Sequence, residues 1–160
     1  MAATDKREWV VWLLDGQRHA LPLSAVERVL PAPEITPLPQ APPLVCGVLN
    51  VQGRIVPVVD LRRRFGMPPC ELRWRDHLVL ARSPRRLLAF GVDAVQGLIE
   101  EPAEAVTAAA DIAPGLEAIA GTVTLPDGLL LIHDLDRLLS LDDEQALDAA
   151  LAGPAGTPIA

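Results

Sequence analysis

Short apolar runs, many of them rich in β-branched residues, recur along the chain with turn residues between them. The first run covers residues 9–14, and Asp15-Gly16 separates it from a second run over residues 17–21. This spacing predicts an antiparallel hairpin with a two-residue turn compatible with type I′. Runs of this length at such short intervals are typical of an all-β sandwich or barrel with few helices.

The same pattern predicts further strands over the rest of the chain. They cover residues 26–30, 47–50, 54–59, 77–81, 87–92, 94–99, 119–125 and 129–132. Gln52-Gly53 and Pro126-Asp127-Gly128 mark two hairpin turns. Residues 31–43 hold six prolines, which exclude a central strand and favour an extended crossover that joins two packed units.

Helices are predicted where a capping residue begins them. Ser24 and Glu27 have the spacing of a capping box, which predicts a single helical turn before the next strand. Asp60 is expected to cap a short helix that ends at Gly66. Asp134 is expected to start another helix that runs through about residue 139.

The C-terminal part of the chain carries acids at residues 142–144, which favour the start of a helix that continues through residue 151. Residues 67–73 are expected to form a loop. Residues 100–114 are compatible with either a loop or a helix. Residues 153–160 are expected to be disordered.

An internal repeat links two of the predicted hairpins. A strand that starts at Gly47 leads through a turn to Asp60, and a strand that starts at Gly121 leads to Asp134 with the same spacing. One such unit is too small to bury a core alone, so the repeat predicts two similar β subdomains that pack together. The two hairpins should then occupy equivalent places, although a chance similarity of two apolar hairpins is the alternative.

The composition fits one domain, or two small subdomains that share a core. The 160 residues are 50% hydrophobic, which is enough for a sizeable core. No apolar run approaches the roughly 20 residues that a membrane-spanning helix needs. The N-terminal residues mix both charge signs and lack the pattern of a secretory leader, so the expected location is the cytoplasm, without direct membrane insertion.

The net charge is −7, which disfavours general binding to nucleic acid or anionic lipid and points to protein partners. The charge is unevenly distributed, because residues 51–90 hold nine arginines and three acids whereas residues 91–160 hold thirteen acids and one arginine. Solvated faces and complementary docking surfaces both account for this asymmetry. Residues 62–64 are consecutive arginines on a predicted helix, so they cannot form one row that follows a phosphate backbone.

Residues with catalytic or metal-binding chemistry are few. His19, His77 and His133 lie in predicted strands, where a lone histidine is more often a surface or hydrogen-bonded core residue than a general base. Cys46 and Cys70 lack the spacing of a redox or zinc motif and are expected to be reduced thiols. The sequence therefore predicts no catalytic residue, no metal site and no cofactor.

Residues 35–62, ITPLPQAPPLVCGVLNVQGRIVPVVDLR, resemble the signature of CheW-like domains, the coupling proteins of bacterial chemotaxis. The resemblance continues through FGVDAV at 90–95 and through the last predicted hairpin, residues 119–132. It implies two five-stranded β-barrel-like subdomains around a shared apolar core. It also implies a non-catalytic scaffold that bridges the cytoplasmic tips of chemoreceptors to the regulatory domain of a CheA-type histidine kinase.

The resemblance covers residues 7–141, which we assign as a CheW-like domain followed by a C-terminal helix at 142–152 and a disordered tail at 153–160. It places receptor contacts on the strand after the first hairpin and on the signature hairpin. These residues are Val26, Arg28, Gly47, Asn50, Gln52 and Gly53. The sequence is compatible with a signalling pathway that controls flagella, pili or another output.

Two of these positions depart from the family pattern. Family members usually have Arg where this chain has Gln52, and often Glu where it has Arg28. The change removes a charge-assisted contact that could join neighbouring strands. Neutral drift at an exposed pair and adaptation to a different receptor are both compatible with it.

Overall fold

The computed structural model describes residues 6–31, 34–65, 77–108 and 119–152. These residues form eleven β-strands, two α-helices and three short 3₁₀ turns. The strands are β1 (Lys6–Leu14), β2 (Gln17–Pro22), β3 (Val26–Pro31), β4 (Val45–Val51), β5 (Arg54–Val59), β6 (His77–Arg82), β7 (Leu87–Val92), β8 (Ala94–Pro102), β9 (Thr107–Ala108), β10 (Ile119–Leu125) and β11 (Gly128–His133). The helices are α1 (Leu61–Arg64) and α2 (Leu141–Ala152), and the 3₁₀ turns are Leu23–Ala25, Ala103–Ala105 and Leu135–Arg137.

The strands form two sheets. One has six strands in the order β8-β1-β2-β11-β10-β9, and the other has five in the order β3-β6-β7-β5-β4. All neighbouring strands in these orders are antiparallel except β11 with β2 and β5 with β7, which are parallel. Each sheet therefore joins two antiparallel groups of strands along one parallel seam.

The two sheets repeat one arrangement with exchanged parts. In chain order, β1 to β5 with α1 form one repeat, and β6 to β11 with the following 3₁₀ turn form the other. Each sheet takes its first hairpin from one repeat and its last hairpin from the other. The predicted internal repeat is confirmed, since the hairpins that begin at Gly47 and Gly121 lie at equivalent places in separate sheets.

A close backbone crossing occurs at the same point in both repeats. Thr36 forms an isolated antiparallel bridge with Val48, and β9 pairs with β10 beside Gly121. A Cβ on Gly47 would lie 2.4 Å from the carbonyl oxygen of Thr36, and a Cβ on Gly121 would lie 2.4 Å from that of Thr107. Both positions thus need glycine because another strand passes directly over them.

The apolar side chains form three clusters. One lies within each sheet: Leu49, Val56 and Leu80 belong to the first, and Trp9, Val123 and Leu130 to the second. The third and largest lies between the sheets. It includes Trp12, Phe90 and Leu147, the last of which lies on α2 and is fully buried. The shared apolar core expected from the sequence is therefore present, and α2 contributes to it.

The expected β-rich fold of two similar subdomains is confirmed, and local details differ from the expectation. The six-stranded sheet exceeds the predicted five strands because of the two-residue β9, whose counterpart in the other sheet is the single bridge at Thr36. Neither sheet, over the described residues, closes into a barrel by strand pairing. Ser24 does not cap a helix, since the turn at Leu23–Ala25 has Pro22 at its N-cap and no side-chain hydrogen bond there. Asp134 begins only one 3₁₀ turn, although its side chain accepts a hydrogen bond from the Asp136 backbone as a cap should.

Other predicted strands and helices agree with the structure to within a few residues. Residues 100–108, left open between a loop and a helix, contain the end of β8, a 3₁₀ turn and β9. The expectations for Gly66, the loop at 67–73, Cys70, residues 109–114 and the tail at 153–160 lie outside the described residues. Within the part of the chain that the structure covers, no helix is both long and apolar enough to cross a membrane.

Candidate partner-binding site

The six residues expected to contact a receptor lie at opposite edges of the five-stranded sheet, on β3 and on the hairpin of β4 and β5. Val26 and Arg28 are on β3, at one edge. The hairpin of β4 and β5 at the other edge carries Gly47, Asn50, Gln52 and Gly53. In the order of this sheet, β6, β7 and β5 separate β3 from β4.

On β3, a bulge changes the direction of successive side chains. The register with β6 shifts between Val26, which lies opposite Ala81, and Arg28, which lies opposite Leu80. Val26 is half-buried against the shared core, whereas Arg28 is exposed. Val26 therefore contributes to packing as well as to the surface, and Arg28 is available to a partner.

The signature hairpin turns tightly at Gln52 and Gly53. Both residues have positive φ, 51° and 86°, as a type I′ turn requires. The side-chain oxygen of Asn50 accepts a hydrogen bond from the Gly53 backbone at 2.8 Å, which holds the turn in place. Asn50 and Gly53 thus shape the turn, and Gln52 is the exposed side chain at its tip.

Gly47 differs from the other expected contact residues because it is buried. The backbone of Thr36 and the side chain of Ile35 cover the position where its Cβ would be. A larger residue at Gly47 would first displace this crossing segment. Gly47 consequently acts through the fold, not as an open part of a groove.

A charge pair joins the two edges of the sheet, one or two residues away from the positions that depart from the family pattern. Glu27 Oε1 accepts a hydrogen bond from Arg54 Nη2 at 3.0 Å, and Arg82 Nη2 lies 3.8 Å from the same oxygen. Glu27 is the bulged residue beside Arg28, and Arg54 follows the turn that contains Gln52. A charge-assisted contact therefore exists next to positions 28 and 52, although it involves neither Arg28 nor Gln52.

Two of the three consecutive arginines at residues 62–64 make polar contacts between elements of the fold. Arg62 Nη1 lies 2.5 Å from Asp15, in the first hairpin turn, and Arg62 Nη2 lies 2.6 Å from Asp93, between β7 and β8. These carboxylates raise the pKa of Arg62 further above its already high value. Arg64 Nε donates to the Leu138 carbonyl at 3.1 Å. Of the run, only Arg63 projects fully into solvent.

Two of the three histidines form a buried pair. His19 Nδ1 and His133 Nε2 are 2.7 Å apart, and the rings of Trp12 and Phe65 pack around them. Burial lowers the pKa of His19 to about 4 and lowers that of His133 well below its ordinary value. The pair is therefore uncharged at neutral pH. Sequence patterns did not predict the pairing, because the two residues are 114 positions apart and meet only across the β2–β11 seam.

The remaining candidate for reactive chemistry in the described residues is Cys46. Cys46 is an exposed residue on β4. Desolvation of its sulfur and the nearby Asp60 carboxylate nevertheless raise the pKa of the thiol to about 11. A thiol with this pKa carries almost no thiolate at neutral pH and is a poor nucleophile. His77 is exposed at the start of β6. Among the described residues there is no group of three or more His, Cys, Asp or Glu side chains that could hold a metal ion.

The fold is that of a β-rich module of two exchanged repeats, with an exposed hairpin and a charge-linked sheet edge as its distinctive surfaces. Residues 8–143 match the family model described as CheW-like domain. The chain therefore belongs to the CheW-like domain family, a family of chemotaxis scaffold proteins.

Individual relatives support this assignment over most of the chain. The chain is 26% identical to the "Chemotaxis protein CheW" of Rhizobium meliloti over 142 residues, which cover 88% of this chain and 92% of that protein. It is 34% identical to the "Chemotaxis protein CheW" of Thermotoga maritima over 86 residues, 54% of this chain and 56% of that protein. The crystal structure of the scaffolding protein TtCheW from Thermoanaerobacter tengcongensis has the same fold, with a TM-score of 0.78, 22% identity and coverage of 86% of this chain and 94% of that one.

Proposed function

We propose that this protein is a non-catalytic adaptor that couples chemoreceptors to a CheA-type histidine kinase. The observation that carries the proposal is the match to the CheW-like domain over residues 8–143, together with the fold shared with a scaffolding relative. A scaffold needs separate surfaces for separate partners, and two sheets that present different loops and charges supply them. The partners would be the cytoplasmic tip of a chemoreceptor and the regulatory domain of the kinase.

The receptor surface that we propose is the end of the five-stranded sheet. Gln52 at the tip of the hairpin and Arg28 on β3 are both exposed there, and the Glu27–Arg54 pair holds the two edges together. Val26 supplies apolar surface beside them, while Asn50, Gly53 and the buried Gly47 keep the hairpin in its conformation. In this arrangement Arg28 and Gln52 set which receptor is accepted, since charged and polar groups at an interface determine specificity more than affinity.

Reconstitution with the kinase and the receptors of the same bacterium tests the function. We expect receptor-containing membranes to control kinase autophosphorylation only when this protein is added. The location implied is the cytoplasm, at membrane-associated receptor arrays. Kinase control that is unchanged by the protein over a wide concentration range would contradict the proposal.

The site within this function is tested separately by two arginine variants. Arg28→Ala should weaken binding to the receptor fragment and leave binding to the kinase regulatory domain unchanged, as measured by calorimetry. Arg137→Ala, an exposed arginine after β11 in the other repeat, is the matched control and should change neither affinity. Equal effects of the two variants on receptor binding would show that the receptor site lies elsewhere.

A second candidate within the same class is a scaffold for a chemosensory array with a different output, such as a pilus system. The departures at Arg28 and Gln52 favour it, because they alter the surface that we assign to receptor choice. Binding assays against each receptor and kinase set of the host distinguish the two candidates by showing which set the protein prefers.

A further inference from the structure

A cleft opens between β5 and β7, at the start of both strands. The two strands are parallel neighbours, yet they pair only through Val58 with Ala89 and Val59 with Phe90. Before these pairs the strands separate, and the gap is a cavity of about 470 Å³ lined by residues 54–57, residues 82–87 and Leu151 of α2.

The other sheet lacks this gap. There, Ile132 and Ala20 are equivalent to Val58 and Ala89, but the strands β11 and β2 already pair at Leu130 with Arg18, two positions earlier. The Gln17 side chain also donates a hydrogen bond to the Leu129 carbonyl at 2.9 Å. The same place in the fold is therefore closed in one sheet and open in the other.

Two residues account for the opening. Residues that flank a two-residue hairpin turn form a hydrogen-bonded pair, so the backbone N–H and C=O of Arg54 point to β4. These groups point to alternate sides along a strand, so the backbone of Pro57, three positions on, faces β7. Proline has no N–H to donate across the seam, whereas the equivalent residue in the other sheet is Leu131. Arg86, which stands where Gln17 stands in the other repeat, points instead to Glu144 and Asp148 on α2.

The cleft carries an excess of positive charge. Arg54 and Arg82 approach the same oxygen of Glu27, so one carboxylate serves two guanidinium groups. Arg85 also lines the cleft, and it has no carboxylate within 4.0 Å among the residues that the structure describes. Beside these cations lies Ile55, whose surface is 51% exposed. Carboxylates together with an aliphatic side chain would complement this surface.

We propose that the β5–β7 cleft is a docking site for an acidic segment of a partner protein, whose carboxylates contact Arg54, Arg82 and Arg85 while an aliphatic side chain packs on Ile55. The cleft is distinct from the tip of the signature hairpin, although Arg54 borders both. Binding of an acidic segment in the cleft does not depend on where receptors bind.

A peptide titration tests the cleft directly. The probe is a short synthetic peptide in which glutamates alternate with leucines and glycines, and its control has glutamine in place of every glutamate. We expect saturable amide shifts at residues 54–57 and 82–87 in two-dimensional NMR spectra with the acidic peptide, and none with its control. Binding should weaken as salt is added, because the contacts are between partly exposed charges.

Two charge reversals with the same change in net charge give the matched comparison. Arg85→Glu should weaken binding of the acidic peptide about tenfold, because the new carboxylate in the cleft repels the glutamates of the peptide. Arg63→Glu lies outside the cleft and should change the affinity less than about twofold, since its effect is screened by solvent. Pro57→Leu supplies the backbone N–H that proline lacks and should also weaken binding. Circular dichroism checks that this variant keeps its fold.

Four results would overturn the proposal. They are the absence of saturable binding, equal binding of the glutamine peptide, shifts that map outside the cleft, and equal weakening by the two charge reversals. Concentration-dependent self-association that Arg85→Glu abolishes would also overturn it, by assigning the cleft to a second copy of this chain.

Discussion

Individual residues fix this fold where the two repeats force backbones together. Gly47 and Gly121 lie under the crossing segments at Thr36 and Thr107, with 2.4 Å between the position of a Cβ and the covering carbonyl oxygen. No side-chain rotation relieves such a contact, because both the Cβ and the carbonyl belong to the main-chain framework. The requirement for glycine therefore comes from tertiary structure and not from the turn preferences of the sequence.

Substitution of either glycine should destabilise the protein to a similar degree. We expect Gly47→Ala and Gly121→Ala each to lower the free energy of unfolding by about 1–3 kcal/mol, as overpacking usually does. Cys46→Ala, at the exposed position beside Gly47, is the control and should stay within about 0.5 kcal/mol of the parent. Urea denaturation followed by tryptophan fluorescence measures all three. A loss confined to one of the two glycines would show that the crossings are not equivalent.

The histidine pair makes a second residue-level prediction, on pH. Both histidines have a lower pKa in the folded state than in the unfolded state, so the unfolded chain binds more protons in acid. The free energy of unfolding should accordingly have its full value above pH 6.5. It should fall as the pH is lowered towards 4, the pKa of folded His19. The slope approaches about 1.4 kcal/mol per pH unit for each histidine that contributes.

A double variant separates this effect from that of the acids. In the other sheet, Leu88 and Val59 occupy the places of His19 and His133. His19→Leu with His133→Val should fold and should flatten the pH dependence between pH 6.5 and pH 4 in urea denaturation. An unchanged slope in the double variant would assign the acid sensitivity to the carboxylates.

Among the elements, α2 is held to the five-stranded sheet by one arginine. Arg86 Nε lies 2.7 Å from Glu144, which is buried, and its other nitrogen contacts Asp148. Leu147, between these acids, is fully enclosed in the shared core. The helix therefore combines an apolar face with a largely desolvated ion pair.

Removing the arginine should loosen α2. We expect Arg86→Leu to cost about 3 kcal/mol, because Glu144 would be left buried without its cation. Adding Glu144→Leu should recover much of that loss, whereas Asp148→Ala alone should cost less than about 1 kcal/mol since its side chain is exposed. Urea denaturation and amide hydrogen exchange over residues 141–152 measure these effects. Failure of the double variant to recover would mean that Arg86 acts through packing alone.

The elements also show what the sequence could and could not predict. Strands and turns such as Asp15-Gly16 follow from local alternation and backbone preference, and the repeat of Gly47 and Gly121 revealed the duplicated architecture. β9 and the bridge at Thr36 were missed because a pairing of one or two residues leaves no periodic pattern. The Glu27–Arg54 contact was missed because bulges and sheet curvature, which decide which charges meet, do not appear in residue spacing.

At the scale of the molecule, the exchange of hairpins makes the two sheets interdependent. Neither repeat contains a complete sheet, and Arg62 ties α1 to Asp15 in one sheet and to Asp93 beside the other. The module can therefore present distinct surfaces on its two sheets without relative movement of separate domains. Sheets that share their strands in this way suit a scaffold, because surfaces on both sheets belong to one folded unit.

The surface charge of the module should determine partner choice without affecting its stability. Arg28 and Gln52 are exposed, and the Glu27–Arg54 pair between their strands does not depend on either of them. We therefore expect Arg28→Glu with Gln52→Arg, the residues usual in the family, to change the relative affinity for different receptor fragments. The melting temperature should be nearly unchanged, since exposed substitutions of this kind alter stability by no more than about 0.5 kcal/mol.

Calorimetry against two receptor fragments and the kinase regulatory domain, together with thermal denaturation, checks this expectation. Gln52→Arg alone should reduce binding to the protein's own receptor, because it adds a cation near Arg28 and Arg54 without the compensating glutamate. The double variant should restore binding to some receptors and not to others, with kinase affinity constant throughout. If the double variant bound every receptor as the parent does, Arg28 and Gln52 would be neutral surface positions and receptor choice would have to lie with other residues of the five-stranded sheet.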